Sequence, residues 1–181
     1  MNTKDLPVRV ASAAKGVTQI VERCESAKAT GYLDLSSCSL MYLANAIYLL
    51  LKGYDVNKCS LRDNDLKKFP KKLIDKFPNM AVINIEGNQI EELPEEMVEW
   101  KQLQGINIAN NKLSVFPTFL LSLGNLAIMD ISGNQIEEFD ADALLAAFPK
   151  LAQLNISGNP LKEEVKARLS EKRPSSLQIQ F

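Results

Sequence analysis

The residues that could do chemistry in this 181-residue chain are few and poorly placed for catalysis. Histidine is absent, which removes the commonest general base and metal ligand. Cys24, Cys38 and Cys59 are too few and too scattered for a disulfide framework or a zinc site. Cys59 falls at an apolar position and reads as an inert core thiol. The chain carries no phosphate-binding G-x-x-x-x-G-K-[ST], no G-x-G-x-x-G and no G-x-S-x-G. Catalytic, metal-binding and cofactor-binding residues are therefore expected to be absent, and the protein reads as a non-enzyme that needs no cofactor.

One polar residue does recur on a regular spacing. Cys38, Asn64, Asn88, Asn111, Asn134 and Asn159 follow one another at steps of 26, 24, 23, 23 and 25 residues. An asparagine side chain has two N–H donors and an acceptor, enough to serve backbone groups of its own turn and of an adjacent one. Apolar residues recur around each at fixed offsets, as in Met80, Ile83, Ile85, Ile90 and Leu93 about Asn88, or Leu126, Met129, Ile131, Ile136 and Phe139 about Asn134. The near-identical stretches INIEGNQIEE and MDISGNQIEE are two such units apart.

This pattern resembles the leucine-rich repeat, L-x-x-L-x-L-x-x-[NC]-x-L, six times over. The resemblance implies an α/β fold: a right-handed leucine-rich-repeat solenoid, a parallel sheet on its concave face, helical caps at both ends. One unit alone buries too little to offset the entropy of ordering it, so neighbours must complete its core. A single domain over residues 1–181 is expected, with a capping helix over 1–31, six repeats over 32–160, and a cap helix and strand over 161–181. Val10, Ala13, Val17, Ile20 and Cys24 form one stripe of the first helix and are expected to cover the first repeat; a membrane-surface or partner-binding helix is the alternative, weakened by its few positive charges. Leu177 and Ile179 stand 23 residues after Leu154 and Ile156, which predicts a seventh strand in that register. Ile179-Gln180-Phe181 also has the form of a C-terminal ligand for strand-adding domains.

With 21 Lys plus Arg against 22 Asp plus Glu, the chain has no global field to hold nucleic acid or an anionic membrane. Lys67, Lys68, Lys71 and Lys72 precede Glu91, Glu92, Glu95 and Glu96 by 24 residues, so they are expected to form surface ion pairs between turns. No signal-peptide core, membrane span or lipidation box is legible at the ends. A cytoplasmic protein is expected, with the nucleus as a second possibility, monomeric by itself.

Function is then expected where side chains alternate with the core on the concave strands. The columns run Tyr32, Lys58, Val82, Gly105, Ile128, Gln153; Asp34, Ser60, Asn84, Asn107, Asp130, Asn155; and Ser36, Arg62, Glu86, Ala109, Ser132, Ser157. Tyr32, Lys58, Arg62, Val82, Asn84, Glu86, Asn107, Ile128, Asp130 and Gln153 are the candidate partner-binding residues, while Asn64, Asn88, Asn111, Asn134 and Asn159 form a structural ladder. The resemblance implies a protein-interaction module, an adaptor or scaffold for another protein. A regulatory subunit of a phosphatase or of a cytoskeletal or motor complex is the second reading.

Overall fold

The computed structural model describes residues 6–181, with side chains from residue 16 onward. Seven three-residue strands stack in chain order into one parallel sheet: β1 (Tyr32–Asp34), β2 (Lys58–Ser60), β3 (Val82–Asn84), β4 (Gly105–Asn107), β5 (Ile128–Asp130), β6 (Gln153–Asn155) and β7 (Gln178–Gln180). The central residue of each of β1 to β6 is buried and its neighbours face outward, the period-two pattern of a strand with one face on the core. Each turn returns on the other side. The return path is α2 (Asn45–Leu50) after β1, α3 (Lys72–Lys76) after β2 and α4 (Ala141–Ala147) after β5; after β3 and β4 it is a tighter 3₁₀ turn, Glu95–Glu99 and Thr118–Ser122. The two 3₁₀ turns follow Pro94 and Pro117, whose fixed φ and missing N–H suit a chain leaving the sheet. Asp140 caps α4 by accepting a hydrogen bond from the Ala143 N–H. This is an α/β leucine-rich-repeat solenoid.

The N-terminal helix α1 (Leu6–Thr30) ends at Gly31, whose φ of +68° is the left-handed conformation that stops a helix cheaply. Its covering stripe is shorter than expected. Cys24 and Ala27 are fully buried against the first turn and Ile20 partly so, but Val17 is 63% exposed. Val10 and Ala13 lie outside the described side chains. Val17 and Val21 instead face Met41 and Tyr42 across an apolar groove of about 430 Å³.

At the far end, β7 forms two residues later than its expected register: Ile179, not Leu177, pairs with Leu154. The cause is the turn that precedes it, in which the Leu177 N–H donates to the Pro174 carbonyl and delays the strand. Leu177 is still buried, beneath Val165 and Leu169 of α5 (Glu163–Lys172) as part of the same core cluster. Arg168 of α5 makes three charge-assisted bonds to Asp142 of α4, at 3.1, 3.0 and 2.8 Å, which tie the last helix to the turn before it.

None of the expected in-register lysine–glutamate pairs forms among the described residues; Lys71 pairs instead with Glu96, one place beyond its sequence equivalent Glu95, at 3.1 Å. Neighbouring turns there change from an α-helix to a 3₁₀ turn, so side chains equivalent in sequence no longer point the same way. Lys72 turns back instead, donating to the Asn45 amide oxygen at 2.8 Å and lying 5.1 Å from the centre of the Tyr48 ring. Lys67 and Lys68 make no ion pair among the described residues.

Candidate functional site

Two polar ladders run the length of the sheet, one inside and one outside. The inner one is made by the asparagines. The Asn88 Nδ2 donates to Leu61 O of the preceding turn and to Ile85 O of its own, each at 2.9 Å, while its Oδ1 accepts from the Leu66 N–H at 3.1 Å. Asn64, Asn111, Asn134 and Asn159 repeat this pattern with Leu40, Ile90, Leu113 and Ile136 as the backbone donors. In the interior each strand-end carbonyl is consequently held twice, by its own asparagine and by the next, as Ile85 O is by Asn88 and Asn111. Cys38 replaces an asparagine in the first turn, where there is no earlier carbonyl to reach; its own N–H donates to Asn64 Oδ1 at 3.1 Å.

The outer ladder occupies the middle column of the helix-free face. Asp34, Asn84, Asn107, Asp130 and Asn155 each accept, through Oδ1, the N–H two residues on: Ser36, Glu86, Ala109, Ser132 and Ser157. These are Asx turns that end the strands. Cross-strand bonds link them further, Asn107 Nδ2 to Glu86 Oε2 at 3.1 Å and Asn155 Nδ2 to Asp130 Oδ2 at 3.0 Å. Asn84, Asn107 and Asp130, expected as partner contacts, thus have much of their bonding capacity already engaged by the fold. The sequence carried the signal in its Asp-x-Ser and Asn-x-Ser triplets at 34–36, 130–132 and 155–157.

The charges of this face are nearly all matched. Arg62 lies 3.5 Å from Glu86 and 3.3 Å from Asp63. Asp34 lies 3.7 Å from Arg23 of α1. Burial pushes the Asp34 carboxyl up, but the Ser36 hydroxyl and N–H and the Arg23 charge outweigh it and hold it below the usual range. Arg23 also donates to the carbonyls of Asp34 and Ser36, at 3.1 and 2.7 Å, and so caps the outer edge of β1. Nothing in the repeat pattern marks Arg23 for this role, because it belongs to the helix. Lys58 and Gln153 are exposed in the first column with Tyr32, Val82 and Ile128. That column alone presents large apolar groups: Tyr32 is 43%, Val82 38% and Ile128 49% exposed.

Among the described residues no group of three or more Cys, Asp or Glu could hold a metal ion, and no helix is long and apolar enough to cross a membrane. Burial, then the Asp34 charge, pushes the Cys59 thiol up to about 12. A thiol dye at about pH 8 is expected to leave Cys59 unmodified in the native protein and to label it on unfolding, which mass spectrometry of the labelled peptide reads directly.

Comparison with known proteins agrees with the geometry. The family profile described as leucine rich repeat matches residues 101–161. Leucine-rich repeat-containing protein 20 of Homo sapiens is 29% identical over 103 residues, which cover 56% of this chain and 53% of that protein; the chain spans about half the length of that relative. Among solved structures, an LRR protein of Leptospira interrogans superposes with a TM-score of 0.64 at 24% identity, over 77% of this chain and 34% of that one. An internalin of Listeria monocytogenes does so with a TM-score of 0.62 at 18% identity, over 83% and 40%. At these identities the two structures share the fold with this chain and no more. Repeat frames in the sequence, seven parallel strands in register and these matches together show a leucine-rich-repeat fold, with the family profile itself confined to residues 101–161.

Proposed function

We propose that the chain is a non-enzymatic protein-interaction module, an adaptor that holds a protein partner against the helix-free, concave face of its sheet. The observation that carries this reading is the first column, where Tyr32, Val82 and Ile128 stand exposed on a floor whose polar groups are otherwise satisfied. Exposed apolar side chains on a rigid polar sheet mark a surface that gains by being covered. Lys58, Arg62, Glu86 and Gln153 would form the polar surround, with Asn84, Asn107 and Asp130 as the floor between them. Seven strands give a trough about 29 Å long at the ordinary strand spacing. Leucine-rich-repeat domains typically bind other proteins, which favours the same use of this one. The three cysteines are free, in keeping with work in the reducing cytoplasm.

Affinity capture from cytosol tests this, with the wild-type chain beside Tyr32→Ala and Ile128→Asp. Captured protein is expected to fall by about tenfold or more for each variant, the loss typical of a central interface side chain. Thermal unfolding should stay unchanged, because both side chains point away from the core. Equal capture by all three chains would overturn the proposal.

A further inference from the structure

We infer that two copies of this chain join through the free edge of β7, the two strands antiparallel and centred on Ile179, so that two solenoids share one continuous sheet. This goes beyond the concave-face reading and departs from the monomer expected from the sequence.

The two ends of the sheet are finished differently. At β1 the outward backbone groups are already taken. Thr30 Oγ1 accepts from the Tyr32 N–H, Asp34 Oδ1 accepts from the Ser36 N–H, and Arg23 donates to the carbonyls of Asp34 and Ser36. A strand added there would have to displace all of them. At β7 the edge is open among the described residues. The Gln178 N–H donates to the Ala152 carbonyl and the Gln180 carbonyl accepts from the Ile156 N–H, each at 2.9 Å, so residues 178 and 180 direct their backbone groups at β6. Successive residues of a strand point these groups to opposite sides. The Ile179 N–H and C=O, the Leu177 C=O and the Phe181 N–H therefore face outward, where no further strand pairs. The last helix, α5, packs against α4 instead.

This edge also lacks the devices that usually keep free edges apart. Residues 175–181 read SSLQIQF, without a charge or a proline. Leu177, Ile179 and Phe181 share the core side by strand alternation. Leu177 is buried and Ile179 half-buried, but Phe181 is 46% exposed. Gln178 and Gln180 are exposed on the concave side.

Outward N–H and C=O groups call for an extended strand, and the edge is complementary to itself. With Ile179 opposite its own counterpart, the Ile179 N–H of each copy donates to the Ile179 carbonyl of the other, and each Phe181 N–H to the other's Leu177 carbonyl. On the core side Ile179 meets Ile179, and Leu177 meets Phe181, which covers the exposed ring. On the concave side Gln178 faces Gln180, and their amides both donate and accept. No charge is set against a like charge. Because β1 is closed, copies cannot add head to tail, and the assembly stops at a two-fold pair. Opposite residues of paired strands project to one face, so both concave faces open on the same side.

Sedimentation equilibrium of the full chain between about 1 μM and about 1 mM is expected to show an average mass that rises toward twice that of one chain. Two charge variants then read the register, because the opposed pair of residues 178 and 180 is the closely spaced, non-hydrogen-bonded kind. Gln178→Glu with Gln180→Glu sets carboxylate against carboxylate and should weaken association by about tenfold or more. Gln178→Glu with Gln180→Lys sets carboxylate against ammonium and should associate at least as well as wild type. Thermal unfolding of the dilute chains should agree, since both glutamines are exposed. A chain that stays monomeric over the whole range would overturn the inference. So would a dimer that both variants form as tightly as wild type, or one that the Glu–Lys variant loses as fully as the Glu–Glu variant. None of these results touches capture at Tyr32 and Ile128, which tests the concave face by itself.

Discussion

Trp100→Ala is expected to lower the unfolding free energy by about 3–5 kcal/mol, the usual cost of emptying an aromatic site in a packed core. Trp100 is fully buried on the helical side of the third turn. Its ring meets Phe69 edge-on at a centroid distance of 5.9 Å, and its Nε1–H donates to the Phe77 carbonyl at 2.9 Å. Phe69 and Phe77 both belong to the second turn, so one side chain joins two turns by shape and by a hydrogen bond. The alanine variant loses both and leaves the Phe77 carbonyl without that donor. Trp100→Phe separates the contributions: it keeps most of the apolar area and is expected to cost about 1–3 kcal/mol less than alanine. Urea unfolding followed by far-UV circular dichroism measures the series. A Trp100→Ala midpoint within error of wild type would contradict this account of the core.

Asn111→Ala is the second large effect, at about 2–4 kcal/mol. The fate of each partner sets the size. The Ile90 N–H, buried and bonded to Asn111 Oδ1 at 3.0 Å, is left with no acceptor. The Ile85 and Ile108 carbonyls lose one donor each but keep another, Asn88 for the first and Asn134 for the second. The Ala109 carbonyl keeps the Gly87 N–H. One orphaned donor and three thinned acceptors are therefore expected, rather than four orphans. Asn111→Asp tests the assignment, because it retains the acceptor for Ile90 and removes the donors; it places a carboxylate beside carbonyl oxygens and should also be strongly destabilising. If alanine at 111 cost no more than a surface substitution, the ladder would have no energetic role.

The frame of this molecule was legible because the period is rigid. A residue that must point into a stack every 23 to 26 positions leaves a mark that composition cannot hide, and the registers Leu33–Cys59–Ile83–Ile106–Met129–Leu154 follow it. What the sequence left obscure lies wherever the period is broken. The return paths change between α-helix and 3₁₀ turn, so the alignment of Lys67, Lys68, Lys71 and Lys72 with glutamates carried no geometry. A single bond from Leu177 to Pro174 moved β7 by two residues. The exposure of Val17 comes from the open groove it shares with Met41 and Tyr42 of the first turn, which no repeat reports. For the candidate site the columns were legible as strand alternation. The internal hydrogen bonds of Asp34, Asn84 and Asp130, and the reach of Arg23, depend on neighbours two residues or a whole helix away.

The asparagine bonds also have a direction. Each Oδ1 serves a backbone donor that precedes it by 21 to 24 residues, Leu40, Leu66, Ile90, Leu113 and Ile136 in order. A chain emerging from the ribosome begins with the segment that has to wait, and each new segment delivers the group that secures the one before it. Closure would then follow synthesis from start to finish at a constant lag of one unit. Among the described residues no later asparagine serves the turn around Asn159, and α5 covers that turn instead, as α1 covers the first.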